Sequence, residues 1–502
     1  MSEEEPTGDE PTGDEPAGQG PASIEPARTA PAGPPSRDDA PARRAAGGDE
    51  AERLTAAQID QLTPLDRNRY ADLLRLGAIA VVVLGHWMVA VVLHRDGELV
   101  AASLLELVPQ AHWATWVVQV MPIFFFVGGY ANAAAWSSAR GRGVAWADWV
   151  RRRARRLTRP VLPLVALWVP LGLLLGWLGV PGELLQLASQ VAFVPAWFLA
   201  TYLLVVALVP LTTALHRRWG FAAVAGLVVA AIVVDLAHTA GVPAIGWANF
   251  VFVWGAIHQL GYLWYDQRLP AVPWQGLVLA AGAVALLVAL VTVADYPVSM
   301  VGVEGAERSN NSPPTIALIV LALGQVGIVA ALRGPAERWL ARPAVWAKVA
   351  IGGSVAMTVY LWHMTALVLL VALTHPFGLW PVTAQVDGAW WSLRPLWIGL
   401  LALVLALLVR LFARFERTGP PRSRPSRVRA MVGLAATVLG MGLLVAGGLI
   451  DPTGRLTAVP LLPLGLFVGG LGALGVLRAD PPLDAPDPAD PPEVAASARE
   501  AR

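Results

Sequence analysis

A series of long apolar segments, separated by short loops, sets the main limit on how this chain can fold. Most of them hold about 20 residues, the length that an α-helix needs to cross the ~30 Å hydrocarbon core of a bilayer. Within that core every backbone polar group must be bonded inside the protein, which favours helices. The sequence therefore predicts an all-α, polytopic transmembrane helix bundle of about twelve helices. The predicted segments are 73–94, 113–136, 160–180, 196–215, 219–236, 244–264, 275–294, 314–332, 350–373, 393–413, 430–449 and 459–477.

The amino-acid composition also indicates a membrane protein. Hydrophobic residues make up 56% of the chain and charged residues only 15%, whereas soluble domains average about 25% charged residues. The net charge of +1 creates no basic field that would attract nucleic acid. The chain has no cysteine, which excludes disulfides and cysteine-ligated metals. We therefore expect membrane lipids as partners, and we expect neither nucleic acid nor a metal site.

Basic residues alternate between the two sides of the predicted bundle. If the N-terminus lies in the cytoplasm, the loops on that side contain the arginine-rich stretches 140–159, 217–218, 333–348 and 414–429. The loops on the other side contain Arg95, Arg308, Arg394 and Arg455. Cytoplasmic loops of membrane proteins carry an excess of basic residues. We therefore predict a multi-pass protein of the cell membrane with both termini in the cytoplasm.

The two ends of the chain differ in composition from its apolar middle. Residues 1–61 are rich in Pro, Gly, Asp and Glu, a composition that cannot bury enough apolar surface to fold. We predict a disordered cytoplasmic tail there and another over 479–502. Between them the sequence predicts a transmembrane core over 62–418, followed by a basic loop and two additional transmembrane helices over 419–478.

The first predicted helix carries ionisable residues where membrane helices rarely tolerate them. His86 lies about 20 Å from the cytoplasmic edge, and an ionisable residue at such depth is costly and usually functional. Arg75 precedes it by eleven positions, which places both residues on one helix face about 16 Å apart. A neutral imidazole can accept a proton from a hydroxyl near pH 7. His86 is therefore predicted to be a general base, with a buried histidine bonded to a neighbouring helix as the alternative.

Arginines near the cytoplasmic edge are candidates for binding an anionic substrate. Arg75 can bind a phosphate or pyrophosphate bidentately, or it can anchor the helix at the membrane surface. The densest cluster of charge lies at 151–156. It is predicted to set the topology and contact lipid headgroups, while Arg153, Arg155 and Arg156 are candidates for also holding the phosphates of a cytoplasmic donor.

Four further residues inside predicted helices are candidates for lining a substrate cavity. His258 and His363 are both intramembrane, and each either lines the same cavity as His86 or bridges two helices. Trp197 and Tyr202 lie in one apolar segment. They either contact the substrate or belong to the aromatic belt at the membrane interface.

The motifs of the first half of the chain resemble those of the acyltransferase 3 family of membrane proteins. Arg75 and His86 resemble the Arg-x10-His motif of the family's first helix. The stretch PIFFFVGGY at 122–130 resembles its apolar second helix, with Gly128 in place of the usual serine.

Further motifs extend the resemblance along the chain. Arg153 and Arg155 resemble the family's basic pair before the third helix. The residues WFL at 197–199 with Tyr202, and YLWH at 360–363, resemble its later aromatic motifs. The resemblance covers roughly residues 66–415, and the two predicted C-terminal helices lie beyond it.

The resemblance implies a ten-helix core that moves an acyl group, often acetyl, from acyl-CoA at the cytoplasmic face to a hydroxyl. The acceptor would be a cell-surface glycan or a lipid-linked sugar, reached from the opposite side. His86 matches the family's proposed catalytic base, with Arg75 as its partner. Acyl-CoA would be a donor substrate, and no permanently bound cofactor is implied.

Two other functions are consistent with the same helices. A proton-coupled secondary transporter or lipid flippase would use His86 and Arg75 as a proton relay or as substrate ligands. The sequence shows no internal repeat of the kind found in many transporters. A membrane scaffold would carry out no chemistry, and the substitution His86→Ala would then be harmless.

Overall fold

The computed structural model of the protein describes residues 55–95, 98–303, 305–381, 383–416, 426–452 and 458–477. Helices dominate this part of the chain. The α-helices are α1 (Ala56–Gln61), α2 (Arg69–Val89), α3 (Leu104–Leu107), α4 (Thr115–Val118), α5 (Met121–Gly141), α6 (Trp146–Thr158), α7 (Val161–Trp177), α8 (Gly182–Phe193), α9 (Ala196–Ala207), α10 (Val209–Trp219), α11 (Phe221–Thr239), α12 (Asn249–Tyr265), α13 (Pro273–Thr292), α14 (Ile316–Leu340), α15 (Pro343–Ser354), α16 (Ala356–Thr374), α17 (Gly388–Phe412), α18 (Arg427–Gly447) and α19 (Leu461–Ala473). Short 3-10 helices lie at Pro109–Ala114, Pro243–Ala248 and Ala413–Glu416, and the strands β1 (Ala90–Arg95) and β2 (Glu98–Ser103) form one antiparallel hairpin.

The lengths and compositions of the helices are those of a multi-pass membrane protein. Eight helical segments in the described chain are long and apolar enough to cross a membrane, and the number rises to ten if each of two bent pairs is one span. The bent pairs are α6 with α7, at 46°, and α8 with α9, at 45°. The prediction of an all-α, polytopic bundle is therefore confirmed. The two remaining predicted segments, 244–264 and 459–477, form the shorter helices α12 and α19.

The folded structure begins earlier than the sequence predicted. The predicted disordered tail extends to residue 61, but Ala56–Gln61 forms α1, so the prediction was wrong for these six residues. The physical reason is a capping box, in which the side chains of Thr55 and Gln58 each bond the other residue's backbone N–H. Residues 1–54 of the predicted N-terminal tail and the whole predicted tail at 479–502 lie outside the described residues, as do residues 419–425 of the predicted basic loop.

The first apolar segment, predicted at 73–94, is not helical throughout. Helix α2 ends at Val89, and the chain continues as β1 of the hairpin. Because side chains alternate across a strand, Val91 and Leu93 lie on one face, where they pack with Trp390 of α17. A small hydrophobic cluster thus joins the hairpin to the bundle. We call the side of the bundle with this hairpin the hairpin end, and the opposite side, where α6 lies, the basic end.

The centre of the bundle is α12, which is buried on all sides over residues 253–264, as expected for a helix that is apolar all round. Helix α5 crosses α12 so closely that side chains do not fit between them. A Cβ atom added to Gly129 would lie 1.8 Å from the carbonyl oxygen of His258. One added to Gly261 would lie 2.1 Å from the carbonyl oxygen of Phe126. Small residues at such crossings let membrane helices approach closely, which explains the second glycine of PIFFFVGGY.

The start of α16 is held by a residue from the end of the following helix. Glu416 follows α17 and accepts hydrogen bonds from the backbone N–H of Met357 at 3.3 Å and of Thr358 at 3.1 Å. It also accepts one from the Thr358 hydroxyl at 2.8 Å. A carboxylate at a helix N-terminus satisfies free N–H groups and complements the helix dipole. Glu416 therefore fixes the position of α16.

The last two helices pack against the wall of the bundle that contains α6. They form a close hairpin, since a Cβ atom on Gly440 of α18 would lie 2.4 Å from the backbone nitrogen of Phe467. Helix α18 contacts α6, α8 and α9. The N–H of Leu449, just beyond α18, donates to Ser189 Oγ at 3.0 Å. These helices therefore support the position of α6.

Replacing Gly129 by alanine is expected to destabilise the folded protein, because the added methyl group must push α5 and α12 apart. Overpacking of this kind costs about 1–3 kcal/mol, which a thermal unfolding experiment on the purified protein in detergent measures as a lower Tm. Gly282→Ala in α13 is the matched control, since a Cβ atom there meets nothing within 4 Å. Equal Tm values for the two variants would show that the two helices do not cross in this way.

Candidate active site

Helices α2 and α16 bring two predicted site residues, His86 and His363, into direct contact. His86 Nδ1 lies 2.8 Å from His363 Nε2, and the two rings are within 9° of parallel. The indole N–H of Trp87 donates to the carbonyl oxygen of His363 at 3.0 Å. This bond fixes the two helices at the level of the rings. We call His86 and His363 the histidine pair.

The hydrogen bonds of the histidine pair determine where the protons lie when both rings are neutral. His363 Nδ1 is 2.6 Å from the carbonyl oxygen of Tyr360, and because a carbonyl only accepts, this nitrogen carries the hydrogen. The Nε2 atom of neutral His363 is then an acceptor, so His86 Nδ1 must donate to it. His86 Nε2 is left without a proton. This assignment, made from the hydrogen-bond network, gives His86 a lone pair that can take a proton from a substrate.

The two histidines differ in accessibility. The His363 residue is fully buried, whereas His86 is partly exposed. His86 is therefore the member of the pair that can meet a substrate. His363 holds the ring of His86 in one orientation and one tautomer, as the acidic residue of a catalytic triad does for its histidine.

A wall of aromatic rings joins the histidine pair to Tyr202. The ring of Tyr360 lies 6.0 Å from that of His363 and 5.8 Å from that of Phe198. Phe198 in turn stacks on Tyr202 at 5.4 Å. The Tyr360 hydroxyl donates to the carbonyl oxygen of Pro195 at 2.9 Å, which fixes this wall to the start of α9. Tyr202 therefore lies on the same wall of aromatic rings as the histidine pair.

Asn132 of α5 joins Tyr202 to His258 and was missed by the sequence analysis. Its Nδ2 atom lies 3.0 Å from the Tyr202 hydroxyl and 3.1 Å from His258 Nε2. An amide nitrogen only donates, so His258 Nε2 is an acceptor here. The signal in the sequence was a single amide in an otherwise apolar helix. The described hydrogen bonds connect His258 to Asn132 and not to the histidine pair, so His258 bridges two helices.

Gly128 makes room for the ring of Tyr202. A Cβ atom at this position would lie 2.7 Å from the Tyr202 ring and hydroxyl. A serine, which the resemblance expects here, would therefore collide with the ring in its present position.

Trp197 lies on the same helix as Tyr202. Its ring centroid is 6.4 Å from that of Phe198 and 6.3 Å from that of Trp254. It packs among these aromatic rings.

A cavity of about 460 Å³ opens at the basic end of the bundle. We call it the basic cavity. Its lining residues are Ala135, Ala139, Arg142, Val144, Trp149, Arg152, Arg153 and Arg156. The guanidinium of Arg153 lies 5.6 Å from the centre of the Trp149 ring, within range of a cation–π interaction. Four arginines around one cavity favour the binding of an anion with several phosphate groups.

Helix α6 divides its arginines between two faces. Arg152, Arg153 and Arg156 line the basic cavity. Arg151 and Arg155 are four positions apart, lie on one face, and are buried with 2% and 3% of their surface exposed. Of the predicted donor-binding residues, the structure therefore brings Arg153 and Arg156 to the cavity and turns Arg155 into the bundle.

Arg75 lies close to the basic cavity and on the helix that carries His86. It is within electrostatic range of both Arg153 and Arg156. Asp72 lies 3.9 Å from Arg75 and accepts a hydrogen bond from Arg67 at 2.7 Å. Because α2 is continuous from Arg69 to Val89, the predicted separation of about 16 Å along the axis between Arg75 and His86 holds.

The fold and this site define a multi-pass membrane protein with a paired-histidine site between α2 and α16 and an arginine-lined cavity at one end. The family model of acyltransferase 3, described as an acyltransferase domain, matches residues 68–413. The chain belongs to this family and is a membrane acyltransferase. Neither a curated protein nor a solved structure matches it significantly. Helices α18 and α19 lie outside the matched range.

Replacing Asn132 by leucine is expected to destabilise the protein by about 1–3 kcal/mol, because buried His258 Nε2 then loses its hydrogen-bond donor. A lower Tm of the purified protein measures the effect. Ser137→Ala is the matched control, since Ser137 lies exposed on the same helix and its substitution is expected to leave the Tm unchanged. An unchanged Tm in Asn132→Leu would contradict the bridging role of Asn132.

Proposed function

We propose that this protein is an O-acyltransferase that moves an acyl group, acetyl in the first instance, from acyl-CoA to a hydroxyl group. The acceptor is a cell-surface glycan or a lipid-linked sugar. The observation that carries the proposal is the free lone pair on His86 Nε2, which the bond to His363 creates. A hydroxyl nucleophile needs such a base to accept its proton.

In the proposed reaction, the acceptor O–H donates to His86 Nε2. The proton moves to the imidazole as the oxygen attacks the carbonyl carbon of the thioester, and a C–O bond forms. The C–S bond then breaks, and the imidazolium returns the proton to the sulfur. The products are an ester and free coenzyme A. His363 accepts the Nδ1–H bond of His86 throughout and keeps the ring aligned.

The basic cavity is proposed to hold the phosphates of the donor. Arg153 and Arg156 supply charge-assisted hydrogen bonds, and Arg75 extends the positive charge along α2 toward His86. The acyl end of an extended pantetheine arm then reaches the histidine pair. Alignment of the thioester with the acceptor at the histidine pair lowers the entropic part of the barrier.

We further propose that the basic end faces the cytoplasm of a cell membrane, with both termini on that side. The support is the excess of arginines in the loops of this end, which follows the positive-inside rule. The donor is a cytoplasmic anion, and the acceptor then approaches from the hairpin end.

Thiol release from acetyl-CoA by the purified protein in detergent tests the role of the histidine pair. His86→Ala is expected to lower the rate of release by about 10²–10⁴-fold, the usual contribution of a general base. His363→Leu is expected to lower the rate as well, because His86 loses the acceptor that sets its tautomer. His363→Gln, whose amide oxygen can accept the same bond, is expected to recover part of the loss.

The partial recovery of the rate in His363→Gln distinguishes a role of His363 in positioning His86 from a role in folding alone. The Tm of each of the three variants is measured beside that of the wild type, so that a loss of rate is distinguished from a loss of stability. If His86→Ala releases thiol as fast as the wild type, another residue is the base and the proposed mechanism is wrong. If His363→Leu and His363→Gln are equally active, His363 does not position His86.

The basic cavity is tested with two donors that differ in their phosphates. Arg153→Gln and Arg156→Gln are each expected to raise KM for acetyl-CoA about tenfold, as one lost charge-assisted bond predicts. KM for S-acetylpantetheine, which has no phosphate, is expected to stay unchanged. Arg140→Gln is the control, since Arg140 is exposed and does not line the cavity. An equal rise of KM for both donors would show that the cavity does not bind the phosphates.

A further inference from the structure

A second, smaller pocket lies at the hairpin end of the bundle, where the mechanism above uses no residue. We call it the outer pocket. Its lining residues are Ala90, Val92, Leu367, His375, Trp380, Pro381, Thr383, Trp390, Leu393, Arg394 and Trp397. They come from β1, the end of α16, the loop after it, and the first turns of α17. The backbone N–H of His94 in β1 donates to the Thr383 carbonyl oxygen at 3.2 Å, so the hairpin and the loop together form the rim.

The outer pocket lies one helical turn beyond the histidine pair. Ala90 follows His86 by four residues and donates its backbone N–H to the His86 carbonyl oxygen. Leu367 follows His363 by four residues. Four residues of helix rise about 6 Å. The outer pocket therefore lies about one helical turn from the histidine pair, on the side of the hairpin.

The outer pocket contains a buried positive charge. Arg394 has 8% of its surface exposed, and its Nε atom has no hydrogen-bond partner among the described residues. Its guanidinium lies 3.6 Å from the centre of the Trp390 ring, and Nη2 donates to the Ala90 carbonyl oxygen at 3.1 Å. No carboxylate in the described part of the chain forms an ion pair with it. A buried charge without a counter-charge is costly, so an anionic ligand would stabilise it.

The other walls of the pocket suit the ring of a sugar. Trp380 and Trp397 lie with their ring centres 4.7 Å apart, and His375 packs edge-on against Trp397 at 5.6 Å. Burial lowers the pKa of His375, which leaves Arg394 as the positive charge of the lining near neutral pH. The cavity itself measures about 30 Å³, which is room for one or two water-sized groups. This space is on the scale of a single small anionic group and not of a whole sugar, so the remainder of the ligand would lie against the tryptophan rings.

We propose that the outer pocket binds an anionic group, a carboxylate or a phosphate, of the hydroxyl acceptor, with Arg394 as its counter-charge and Trp380 at the mouth against the sugar ring. This inference rests on the proposed acyl transfer and names the class of acceptor as an acidic sugar or a phosphate-bearing glycolipid. Binding of the anion at Arg394 holds the acceptor about one helical turn from the histidine pair.

The test measures binding in the absence of any acyl donor, so it does not depend on whether acyl transfer occurs. Methyl β-glucuronide, methyl β-glucoside and methyl phosphate are titrated onto the full-length protein in neutral detergent and followed by ligand-observed NMR. The glucuronide is expected to bind at least tenfold more tightly than the glucoside. Arg394→Met is expected to remove this preference. Arg308→Met is the control, since Arg308 pairs with exposed Asp295 and does not line the pocket, and it is expected to keep the preference.

The outcomes separate the possible sources of the anion. Binding of the glucuronide without methyl phosphate identifies an acidic sugar, whereas binding of methyl phosphate identifies the phosphate of a glycolipid. Equal affinities for glucuronide and glucoside, with no binding of methyl phosphate, would overturn the proposal, as would an unchanged preference in Arg394→Met. If Arg394→Met does not fold, Arg394→Lys replaces it. Lysine lacks the bidentate fork of the guanidinium, so the anion is expected to bind severalfold more weakly to this variant. An unchanged affinity would overturn the role of the guanidinium.

Discussion

The site depends on one hydrogen bond between residues 277 positions apart, His86 and His363. That bond exists only if α2 and α16 hold the correct height relative to each other. The indole of Trp87 fixes this height directly, because it bonds the His363 carbonyl oxygen. Glu416 bonds the first N–H groups of α16 and fixes that helix relative to the end of α17. The bundle therefore serves to align two helices so that one imidazole orients another. Because the bond to Tyr360 fixes the proton of His363 in turn, the backbone of α16 sets the tautomer of His86.

The close crossing of α5 and α12 determines the aromatic side of the site. Without side chains at Gly129 and Gly261, the two backbones touch, and the neighbouring Gly128 leaves space for Tyr202. Tyr202 then reaches Asn132 and stacks on Phe198. The aromatic wall beside the histidine pair thus depends on glycines, because their lack of a side chain leaves room for the facing backbone and for the Tyr202 ring.

The part of the fold that depends on local pattern was predictable from the sequence. The apolar segments of bilayer length predicted the helices. The spacing of Arg75 and His86 in one unbroken helix predicted that they share a face. The hairpin was not predictable in this way, because AVVLH continues the apolar run of α2 and periodicity does not separate a helix from a strand over so few residues. The spacing of Arg151 and Arg155 did contain the information that they share a face, and the sequence analysis did not use it.

The contacts that define the site lay beyond the sequence. His363 was a candidate, but nothing in its local pattern indicates that it bonds His86 rather than another helix. Asn132 was overlooked because a single amide in an apolar helix has many possible partners. The outer pocket combines β1, the end of α16 and the start of α17, and Arg394 had no local signal beyond its position at the outer edge of the predicted segment 393–413. Each of these depends on tertiary contacts between distant segments.

The carboxylate at the start of α16 bears on how such enzymes can be recombined. The family match ends at residue 413, whereas Glu416 lies three residues later. A hybrid made by joining two family members at the edge of the matched region would inherit the helix that carries His363 from one parent and the cap of that helix from the other. The unit that is similar in sequence is therefore smaller than the unit that must be exchanged intact, and exchange boundaries in this protein belong beyond residue 416.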